Sequence, residues 1–441
     1  MDTETRLKLI ESVGEEILTR EELKTLVETK QNLIAYDGFE PSGFAHIPFA
    51  VFRAINLEKL QKAGVKFKIW LADYFAFINN KWGGDLETIK KCSEYFIEVW
   101  KAAGVENVQY LYASKEMDNI EYWDKVLRVA KNITLKRALR ATTIMGRKET
   151  EVQAVAQLFY PPMQTSDVFY LDVDICQLGL DQRRANVLAR EVSEKLNWKK
   201  PVAVHHHMLM GLKGPSEASG YDEESNFDKQ IASKMSKSKP DSCIFIHDTT
   251  EEIKRKISSA YCPEKDIANN PLMDYSKHLI FEKFKEFKIE RESKFGGDVN
   301  FGNYEDLAGA YLNGSLHPLD LKNAVSLYMD KLIAPIRKHF EKDPKANKLY
   351  EFLTNPEAVL VKNRYRILYA TLKNFYPETF EKVDKEIMMC LIQDVVYSDR
   401  RWRKLTEGKD KEEKIKLSKE FQIDLGYTPN YKNNVKELKN L

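Results

Sequence analysis

Cysteine, net charge and long apolar runs are all scarce in this sequence of 441 residues. The five cysteines are scattered without a Cys-x-x-Cys pair, which argues against a zinc site or a disulfide framework and fits a reducing compartment. No stretch is long and apolar enough to span a membrane, and the first thirty residues have the pattern of neither a signal peptide nor an Arg-rich transit peptide. The sequence therefore predicts a cytoplasmic protein without membrane contacts.

The formal net charge is only +2, although 31% of the residues are charged. Such a chain is not a polycation, so any contact with nucleic acid must come from local basic patches. With 43% hydrophobic residues, the chain can bury a sizeable core and form two or three domains.

Apolar, β-branched or aromatic runs alternate with amphipathic helical patterns in the first half of the chain. This alternation predicts an α/β fold, a Rossmann-like doubly wound parallel sheet with helices on both faces. Beyond Thr249 the pattern is almost wholly helical, which predicts an α-helical C-terminal domain. Ligands of such sheets lie at the carboxyl ends of the strands, near the point where the strand order reverses. The predicted strands are Leu33 to Tyr36, Phe67 to Ala72, Val108 to Tyr112, Val168 to Ile175 and Val202 to His206.

These patterns predict four segments. Residues 1–30 form an N-terminal helical segment, residues 31–245 the Rossmann-like domain, and residues 246–352 a helical domain. Residues 353–441 form a charged helical extension of unknown role. For this extension, packing on the helical domain is favoured over contacts with nucleic acid.

Two lysines and two serines occupy one short segment, Lys234-Met235-Ser236-Lys237-Ser238. Ammonium groups act as point charges on phosphate oxygens, and hydroxyls donate to the same oxygens. Such a loop can stabilise the charge that builds up on departing pyrophosphate. Taken alone, the pattern is more typical of a solvated surface turn, so its interpretation depends on the other motifs.

A turn with two glycines follows the first predicted strand and reads Gly38-Phe39-Glu40-Pro41-Ser42-Gly43, with His46-Ile47 after it. An apolar-periodic helix begins at Pro48, so the order is strand, turn and helix. Backbone N–H groups at the start of a helix favour anions, and Gly38 and Gly43 let a ligand approach the main chain closely. His46 can then donate to a nucleotide phosphate, although a lone histidine here would more often be a capping or core residue.

Together, the two motifs resemble those of class I aminoacyl-tRNA synthetases, and within that class the tyrosyl-tRNA synthetases of the archaeal and eukaryotic cytosolic branch. The resemblance runs from about Leu33 to about Phe340 and includes several motifs in the family's order. It implies an enzyme that activates tyrosine with ATP, which enters with Mg²⁺, and then charges tRNA(Tyr). We expect no tightly bound cofactor and no protein metal site. The residues expected to act on the phosphates are His46, Lys234, Ser236 and Lys237.

The spacing of Tyr160, Gln164 and Asp167 is four and three residues, so a helix would place all three side chains on one face. A phenol, an amide and a carboxylate can then converge on one small ligand. By resemblance, Asp167 and Tyr36 would hold the tyrosine hydroxyl, and Tyr160, Gln164 and Gln182 would hold the α-amino end. A carboxylate that accepts from a phenol leaves polar groups unpaired when phenylalanine enters, which predicts strong rejection of phenylalanine.

Gly179 and Asp181 lie just after a predicted strand, in Gln177-Leu178-Gly179-Leu180-Asp181-Gln182. The glycine allows close approach and the carboxylate can accept from hydroxyls, so both are ribose candidates. The resemblance puts the adenine ring against the backbone near Met208 and Leu209. The preceding His205-His206-His207 is not expected to bind a metal, because adjacent side chains on a strand point to alternate faces. The predicted ATP site comprises Gly38, Gly43, His46, Gly179, Asp181, Met208, Leu209, Lys234, Met235, Ser236, Lys237 and Ser238.

Basic side chains form a helical stripe around Arg140, and Arg183 follows the ribose motif directly. Arginine can contact a guanine edge or clamp phosphate, and the resemblance places Arg140 and Arg183 near the first base pair of the tRNA acceptor stem. A solvated charged face is the alternative. The resemblance also assigns anticodon binding to the helical domain, where Phe295 would stack on a base while His317 and Asp320 read its edge.

One departure from the family's pattern follows His46, because glycine and a second histidine are replaced by Pro48 and Phe49. A phosphate donor and a backbone N–H are thereby absent, although proline is tolerated in the first turn of a helix. Two alternatives stay open. A tryptophan-specific relative would not be expected to pair Tyr36 with Asp167, and an RNA-binding protein that lost catalysis would not need the intact lysines. Family analogy also predicts a homodimer, with the helices that precede the tyrosine-pocket helix at the twofold interface.

Overall fold

The computed structural model describes residues 1–146, 151–152, 154–215, 232–237, 240–354, 407–410 and 413. The chain divides into two compact units, Met1–Leu349 and Tyr350–Leu441. The sheet and every predicted site residue belong to the first unit, and of these site residues Ser238 lies outside the described residues. The separation of a domain at 31–245 from one at 246–352 stays a prediction, as does the role of 353–441.

Eight strands occur among the described residues: β1 (Glu16–Leu18), β2 (Leu33–Phe39), β3 (Val65–Leu71), β4 (Val108–Tyr112), β5 (Ile175–Cys176), β6 (Val202–His205), β7 (Phe287–Ile289) and β8 (Val299–Phe301). Six of them form one sheet in the order β1-β6-β5-β2-β3-β4. Neighbours in this sheet run parallel, except that β1 pairs antiparallel with β6. The other two strands form an antiparallel hairpin. The predicted α/β fold with a doubly wound parallel sheet is confirmed.

The α-helices of the described residues are α1 (Thr3–Glu11), α2 (Arg20–Thr29), α3 (Arg53–Lys62), α4 (Asp73–Ile78), α5 (Leu86–Ala102), α6 (Ile120–Lys131), α7 (Leu135–Ala141), α8 (Tyr160–Tyr170), α9 (Arg183–Leu196), α10 (Thr250–Ser258), α11 (Pro271–Tyr275), α12 (Phe281–Lys283), α13 (Tyr304–Leu312), α14 (Pro318–Lys342) and α15 (Pro344–Thr354). Two π-helical turns, Pro48–Phe52 and Ser276–Ile280, precede α3 and follow α11. Short 3₁₀ turns cover Lys81–Gly84, Ala113–Glu116, Thr142–Met145, Val155–Phe159, Leu180–Gln182, Pro240–Ser242 and Ser293–Phe295.

The central strands carry near-continuous apolar sequence because helices cover both faces of the sheet. In β3, Phe67, Ile69 and Trp70 are all buried, although they point to different faces. The parallel register aligns Ala35 of β2 with Phe67 of β3 and with Ile175 of β5. This register fixes the level at which each strand ends.

The strand order reverses at β2. From β2 the chain continues to β3 and β4 on one side, whereas β5 and β6 lie on the other side. Connections that leave in opposite directions open a crevice beyond the carboxyl ends of the two central strands. The glycine turn follows β2 at Phe39, and the Gly179 motif follows β5 at Cys176, so both motifs meet at this crevice.

One secondary-structure prediction was wrong, and a short strand and a short hairpin were not anticipated. Val168 to Ile175 is not a continuous strand, since its first residues close α8 and only Ile175–Cys176 pairs in the sheet. A short apolar run does not distinguish the buried end of a helix from a strand. Residues 1–30 contain β1 between two helices, and the region beyond Thr249 contains the β7–β8 hairpin. These strands have three residues each, too few for alternation to stand out.

In the helical part of the first unit, α10 packs against α14. The capping box of Thr249 and Glu252 starts α10, which explains why the helix begins where it does. Of the helices in the described part of the chain, not one combines the length and the apolar character that crossing a membrane requires.

Candidate active site

A cavity of about 810 Å³ lies at the carboxyl ends of the strands, in the crevice at β2 and β5. Residues from widely separated parts of the sequence line it. Those that the sequence singled out are Tyr36, Gly38, Gly43, His46, Tyr160, Gln164, Asp167, Gly179, Asp181, Gln182, Met208, Leu209, Lys234, Met235, Ser236 and Lys237. The structure therefore brings together the whole described part of the predicted tyrosine and ATP sites.

One end of the cavity is a buried hydroxyl-binding corner. Asp167 lies on α8 and accepts a hydrogen bond from the Tyr122 hydroxyl at 2.9 Å. Burial raises the pKa of Asp167 well above its usual range, while the Tyr122 hydroxyl acts to lower it. The Tyr36 hydroxyl, from the middle of β2, is buried without a hydrogen-bond partner among the described residues. An unpartnered buried hydroxyl is costly, so this corner is built for a polar group that a ligand brings.

Tyr122 was missed by the sequence reasoning. It lies on α6, where its aromatic ring continues the apolar face of an amphipathic helix and is therefore indistinguishable from a core residue. Its side chain is fully buried, which fits that packing role. Its hydroxyl nevertheless fixes one oxygen of Asp167, a residue that also lines the cavity.

A polar set lies at the middle of the cavity. The Tyr160 hydroxyl donates to Glu40 Oε2 at 3.1 Å, and the Asn79 amide donates to the same oxygen at 2.9 Å. Nearby, Gln164 Nε2 donates to Gln182 Oε1 at 3.0 Å. A carboxylate and amide oxygens at this position suit an ammonium group. Glu40 belongs to the glycine turn, but the sequence pattern did not identify it as a site residue.

His46 is held by backbone pairing with the segment that follows the lysine loop. The His46 backbone forms an antiparallel bridge with Phe245, and the next amide, Ile47 N, donates to Ile244 O at 3.0 Å. Its imidazole Nδ1 is buried without a hydrogen-bond partner in the described part of the chain. Burial, with the neighbouring lysine charges, lowers the pKa of His46 well below its usual range. The neutral ring can still donate one hydrogen bond.

The lysine loop lies against the segment that leaves β6. Met235 N donates to Leu209 O at 2.8 Å, and Met210 pairs with Lys234 in an antiparallel bridge. The Lys234 ammonium lies 2.5 Å from Asp181 Oδ2, so two residues of the predicted ATP site form an ion pair with each other. Burial acts to raise the pKa of Asp181, but the Lys234 charge outweighs it and the pKa is lowered.

Lys237 takes the other side of the cavity. Its ammonium donates to Ser42 Oγ at 3.1 Å and lies over the Phe96 ring at 5.7 Å from the centroid. Burial lowers the pKa of Lys237. The two loop lysines thus flank His46, one toward the Gly179 motif and the other toward the glycine turn.

Gly179 shows why its position requires glycine. A Cβ there would lie 2.5 Å from Asp181 Oδ1 and 2.9 Å from Met208 Sδ, distances that real side chains do not adopt. The Gly179 backbone also forms a parallel bridge with His206. The missing side chain therefore lets the carboxylate and the segment after β6 come together at the cavity wall.

A buried ion pair supports the floor of the cavity. Arg53 Nη2 lies 2.5 Å from Asp37 Oδ2, and Arg53 Nη1 donates to the Gln177 side chain. Burial raises the pKa of Asp37 to about 7, although the Arg53 charge acts to lower it. The pair joins β2 to the segment that follows β5, so it holds the two central strand ends in place. Sequence reasoning missed it because the partners are far apart in the chain.

The predicted RNA-contacting residues are not among those that line the cavity, although Arg183 directly follows the lining residue Gln182. Arg140 on α7 is exposed, whereas Arg183 at the start of α9 lies 2.8 Å from Glu16 Oε1 of β1. Phe295 is 60% exposed on a loop between β7 and β8. His317 caps α14, since its Nδ1 accepts from Leu319 N at 3.1 Å, and Asp320 follows in the first turn.

The three adjacent histidines have different partners, as their alternation predicts. His205 Nδ1 bonds to Glu16, and His206 Nδ1 lies 2.9 Å from the backbone oxygen of His207. The His207 ring lies between the carboxylates of Glu15 and Asp274.

A doubly wound sheet whose strand ends carry a glycine turn, a buried imidazole and a pair of loop lysines has the architecture of a class I aminoacyl-tRNA synthetase. The family described as "tRNA synthetases class I (W and Y)" matches residues 28–225 and 228–334, and the chain belongs to it. The two letters stand for tryptophan and tyrosine, so the family alone does not choose between these amino acids.

Relatives of this chain carry one specificity in their names. "Tyrosine–tRNA ligase 1, cytoplasmic" of Arabidopsis thaliana is 44% identical over 353 residues, which cover 79% of this chain and 88% of the relative. The tyrosine–tRNA ligase of Thermococcus kodakarensis is 44% identical over 363 residues, covering 78% of this chain and 97% of that protein. The crystal structure of the tyrosyl-tRNA synthetase of Pyrococcus horikoshii complexed with L-tyrosine is 40% identical, with a TM-score of 0.73, and covers 79% of this chain and 99% of that one.

Proposed function

We propose that this protein is a tyrosine–tRNA ligase that activates tyrosine with ATP and transfers the tyrosyl group to the 3′ end of tRNA(Tyr) in the cytoplasm. The observation that carries the proposal is a single cavity with two matched ends. A hydroxyl-binding corner of Tyr36 and Asp167 lies at one end, and the His46 imidazole lies with two lysines at the other. The names of the relatives support the same substrate.

The corner suits the phenol of tyrosine better than the indole of tryptophan. A phenol can donate to the free oxygen of Asp167 and accept from the Tyr36 hydroxyl, which satisfies all three groups. An indole N–H can only donate, so it would leave Tyr36 without an acceptor. Tyr122 holds the second Asp167 oxygen and thereby orients the carboxylate.

The amino end of the substrate would lie at the middle of the cavity. Tyr160, Gln164 and Gln182 supply neutral oxygens, and Glu40 adds a negative charge that favours an ammonium group over a neutral amine. With the hydroxyl held at Asp167 and the ammonium held here, the substrate carboxylate is directed toward His46 and the lysines.

The reaction then needs no protein nucleophile. A carboxylate oxygen of tyrosine attacks the α-phosphorus of ATP, the bond to the bridging oxygen breaks, and pyrophosphate leaves with the Mg²⁺ that entered with the nucleotide. His46, Lys234, Lys237 and Ser236 would stabilise the charge that develops on the phosphates, while Gly179 and Asp181 would hold the ribose. A terminal ribose hydroxyl of the tRNA next attacks the tyrosyl carbonyl, and AMP leaves.

The departure at Phe49 has a structural explanation. The Phe49 ring stacks on Trp100, with centroids 4.4 Å apart, and also packs on Phe96 and Phe39. It therefore fills an aromatic core where a second histidine would face the phosphates. Lys237 lies over the same Phe96 ring, so the loop supplies the positive charge on this side of the cavity.

The tRNA would extend from the cavity toward the helical part. Arg140 and Arg183 are proposed to meet the acceptor stem, and the ion pair of Arg183 with Glu16 would then exchange for a phosphate or a base. Exposed Phe295 offers a stacking surface for an anticodon base, and His317 and Asp320 offer edge contacts at the start of α14.

A homodimer is also part of the proposal. Large apolar side chains are exposed on α6, α7 and the turn before α8, and they are Ile120, Leu127, Leu135, Val155 and Phe159. Ile120 and Leu127 are seven residues apart, which puts them on one face of α6. An exposed apolar surface of this kind is typical of a subunit interface.

The decisive experiment is amino-acid-dependent exchange of pyrophosphate into ATP, run with tyrosine, phenylalanine and tryptophan on the purified protein. We expect exchange with tyrosine and none above background with the others. Exchange with tryptophan would replace the substrate assignment. Absence of exchange with all three, together with retained tRNA binding, would favour the RNA-binding protein that lost catalysis.

A further inference from the structure

Among the described residues, one group of side chains brings three potential metal ligands within 4.8 Å of one another: His207, Asp274 and His278. His207 Nε2 lies 2.7 Å from Asp274 Oδ1, and His278 Nε2 lies 3.7 Å from the same oxygen. The two imidazole rings are stacked, with centroids 4.2 Å apart and planes at 15°. All three side chains are half-buried, so an ion from solvent can reach them.

Two separate parts of the chain build this group, which we name the His–Asp–His cluster. His207 follows β6, whereas Asp274 lies in α11 and His278 lies one turn later in the π-helical turn Ser276–Ile280. Two ligands four residues apart on one helical face are a recurrent arrangement in metal sites. π-helical turns are rare and occur frequently at functional sites.

We propose that the His–Asp–His cluster binds one divalent transition-metal ion of the zinc type, with water completing the coordination. Two imidazoles and one carboxylate are a common ligand set for zinc. Ligand atoms about 2.0–2.2 Å from zinc lie about 3.3 Å apart in a tetrahedral site. The separations from Asp274 Oδ1, 2.7 Å to His207 Nε2 and 3.7 Å to His278 Nε2, lie on either side of that value. Because the two rings are stacked with planes 15° apart, at least one ring must also rotate before both nitrogens point at one ion.

A fourth residue gives independent support. Glu15 Oε2 lies 2.6 Å from His207 Nδ1. A histidine that ligates a metal almost always donates its other ring N–H to a carboxylate or a carbonyl, which fixes the ring and its tautomer. Glu15 is in that orienting position, and it leaves His207 Nε2 directed at Asp274 and at the neighbouring ring.

The ion would lie at the wall of the active-site cavity, because His207 lines the cavity whereas Asp274 and His278 do not. Asp274 Oδ2 accepts from Met210 N at 2.9 Å, and the neighbouring Tyr275 hydroxyl donates to Met210 O at 2.5 Å. Met210 in turn pairs with Lys234 of the lysine loop. Coordination of Asp274 would therefore stabilise the backbone on which that loop lies. The proposal is independent of the proposed function, because ion binding is measured without substrates.

The test uses the full chain after removal of metals with a chelator. Zn²⁺ binding is measured by titration calorimetry, and Co²⁺ is added to a second sample for its absorption spectrum. The variants are His278→Gln and Asp274→Asn, which keep size and polarity so that folding is preserved, and Glu15→Gln. The matched control is His339→Gln. His339 Nε2 also lies near a carboxylate, 3.4 Å from Glu98, but among the described residues no second histidine contacts Glu98.

We expect one tight Zn²⁺ site in the unmodified protein and a Co²⁺ spectrum without the charge-transfer band that a thiolate ligand gives. His278→Gln and Asp274→Asn should weaken binding at least about 100-fold, Glu15→Gln about 10–100-fold, and His339→Gln not at all. Absence of the site in the unmodified protein, or equal affinity in His278→Gln, would overturn the proposal. A thiolate band would also overturn it, because the ion would then be at a cysteine.

Discussion

Removal of the Asp167 carboxylate is the sharpest test of how this protein selects its amino acid. Asp167 is buried and lines the cavity, Tyr122 donates to one of its oxygens, and the Tyr36 hydroxyl of the same cavity has no hydrogen-bond partner among the described residues. In Asp167→Ala, a bound tyrosine would keep its ring contacts but lose the acceptor for its hydroxyl. Phenylalanine, which has no hydroxyl, would lose nothing polar.

The expected magnitude follows from the hydrogen bonds involved. A buried polar group left without a partner costs about 1–3 kcal/mol, and each 1.4 kcal/mol is about tenfold in rate. The kcat/KM for tyrosine in pyrophosphate exchange should therefore fall about 5–150-fold. Any cavity left by the substitution affects both substrates alike. The ratio of kcat/KM for tyrosine to kcat/KM for phenylalanine should therefore decrease by the same factor as kcat/KM for tyrosine.

The assay compares exchange with tyrosine and with phenylalanine in the unmodified protein, Asp167→Ala and Asp167→Asn. The asparagine variant preserves the volume of the side chain, so it separates loss of the carboxylate from loss of packing. Asp172→Ala is the matched control, since Asp172 is exposed just beyond α8 and pairs with Lys199 at 2.6 Å. An unchanged tyrosine preference in both Asp167 variants would refute the hydroxyl-recognition argument.

Three further predictions concern the phosphate site, the cavity floor and the response to acid. Lys234→Ala and Lys237→Ala should each lower the exchange rate about 10²–10³-fold, as expected for loss of one preorganised donor, measured at saturating tyrosine and ATP. Asp37→Ala should lower the free energy of unfolding in urea by about 3–5 kcal/mol, because it leaves Arg53 buried without its partner. Burial lowers the pKa of His247 to about 3, so its contribution to stability is present above pH 6.5 and is lost as the pH falls toward 3. Between pH 6.5 and about pH 3, we expect the free energy of unfolding to decrease as the pH falls. This decrease should be steeper in the unmodified protein than in His247→Gln, by up to about 1.4 kcal/mol per pH unit.

Each of these predictions has a control within the same chain. Lys199→Ala removes an exposed cation of similar kind and should leave exchange within a factor of about two. Glu4→Ala breaks the pair with Lys8, in which both side chains are more than 70% exposed, and should cost less than about 1 kcal/mol. Equal effects of the buried and exposed substitutions, or parallel acid profiles in the histidine comparison, would contradict the burial arguments.

Local patterns predicted the parts of the site that sequence spacing alone determines. Tyr160, Gln164 and Asp167 reach one cavity because helical periodicity puts them on one face of α8. Gly179 was identifiable because a turn after a strand leaves few residue types that let a ligand approach the backbone, whereas Gly38 lies inside β2 rather than in the turn. These features depend on neighbours in sequence.

Long-range partners could not be predicted in the same way. Tyr122 was indistinguishable from a core aromatic until its hydroxyl was placed next to Asp167, 45 positions away. Glu40 lay inside a recognised motif, but its role depends on Tyr160, 120 positions away. The strand β1 was missed because its three residues gain their meaning only from pairing with β6. In each case tertiary contact, rather than propensity, determines the role.

The ion pair of Lys234 with Asp181 adds a mechanistic consequence. The sequence assigned the lysine to phosphate and the aspartate to ribose, yet in the structure each neutralises the other at 2.5 Å. If both assignments hold, ATP must break this pair, and the nucleotide replaces each partner with a group of its own. When the ribose binds Asp181, the ion pair separates and Lys234 becomes available to the phosphates. Loss of the Asp181 charge should therefore free Lys234 before ATP binds. In the variant Asp181→Asn, the lost ribose contact would weaken ATP binding, but the freed lysine would offset part of that loss.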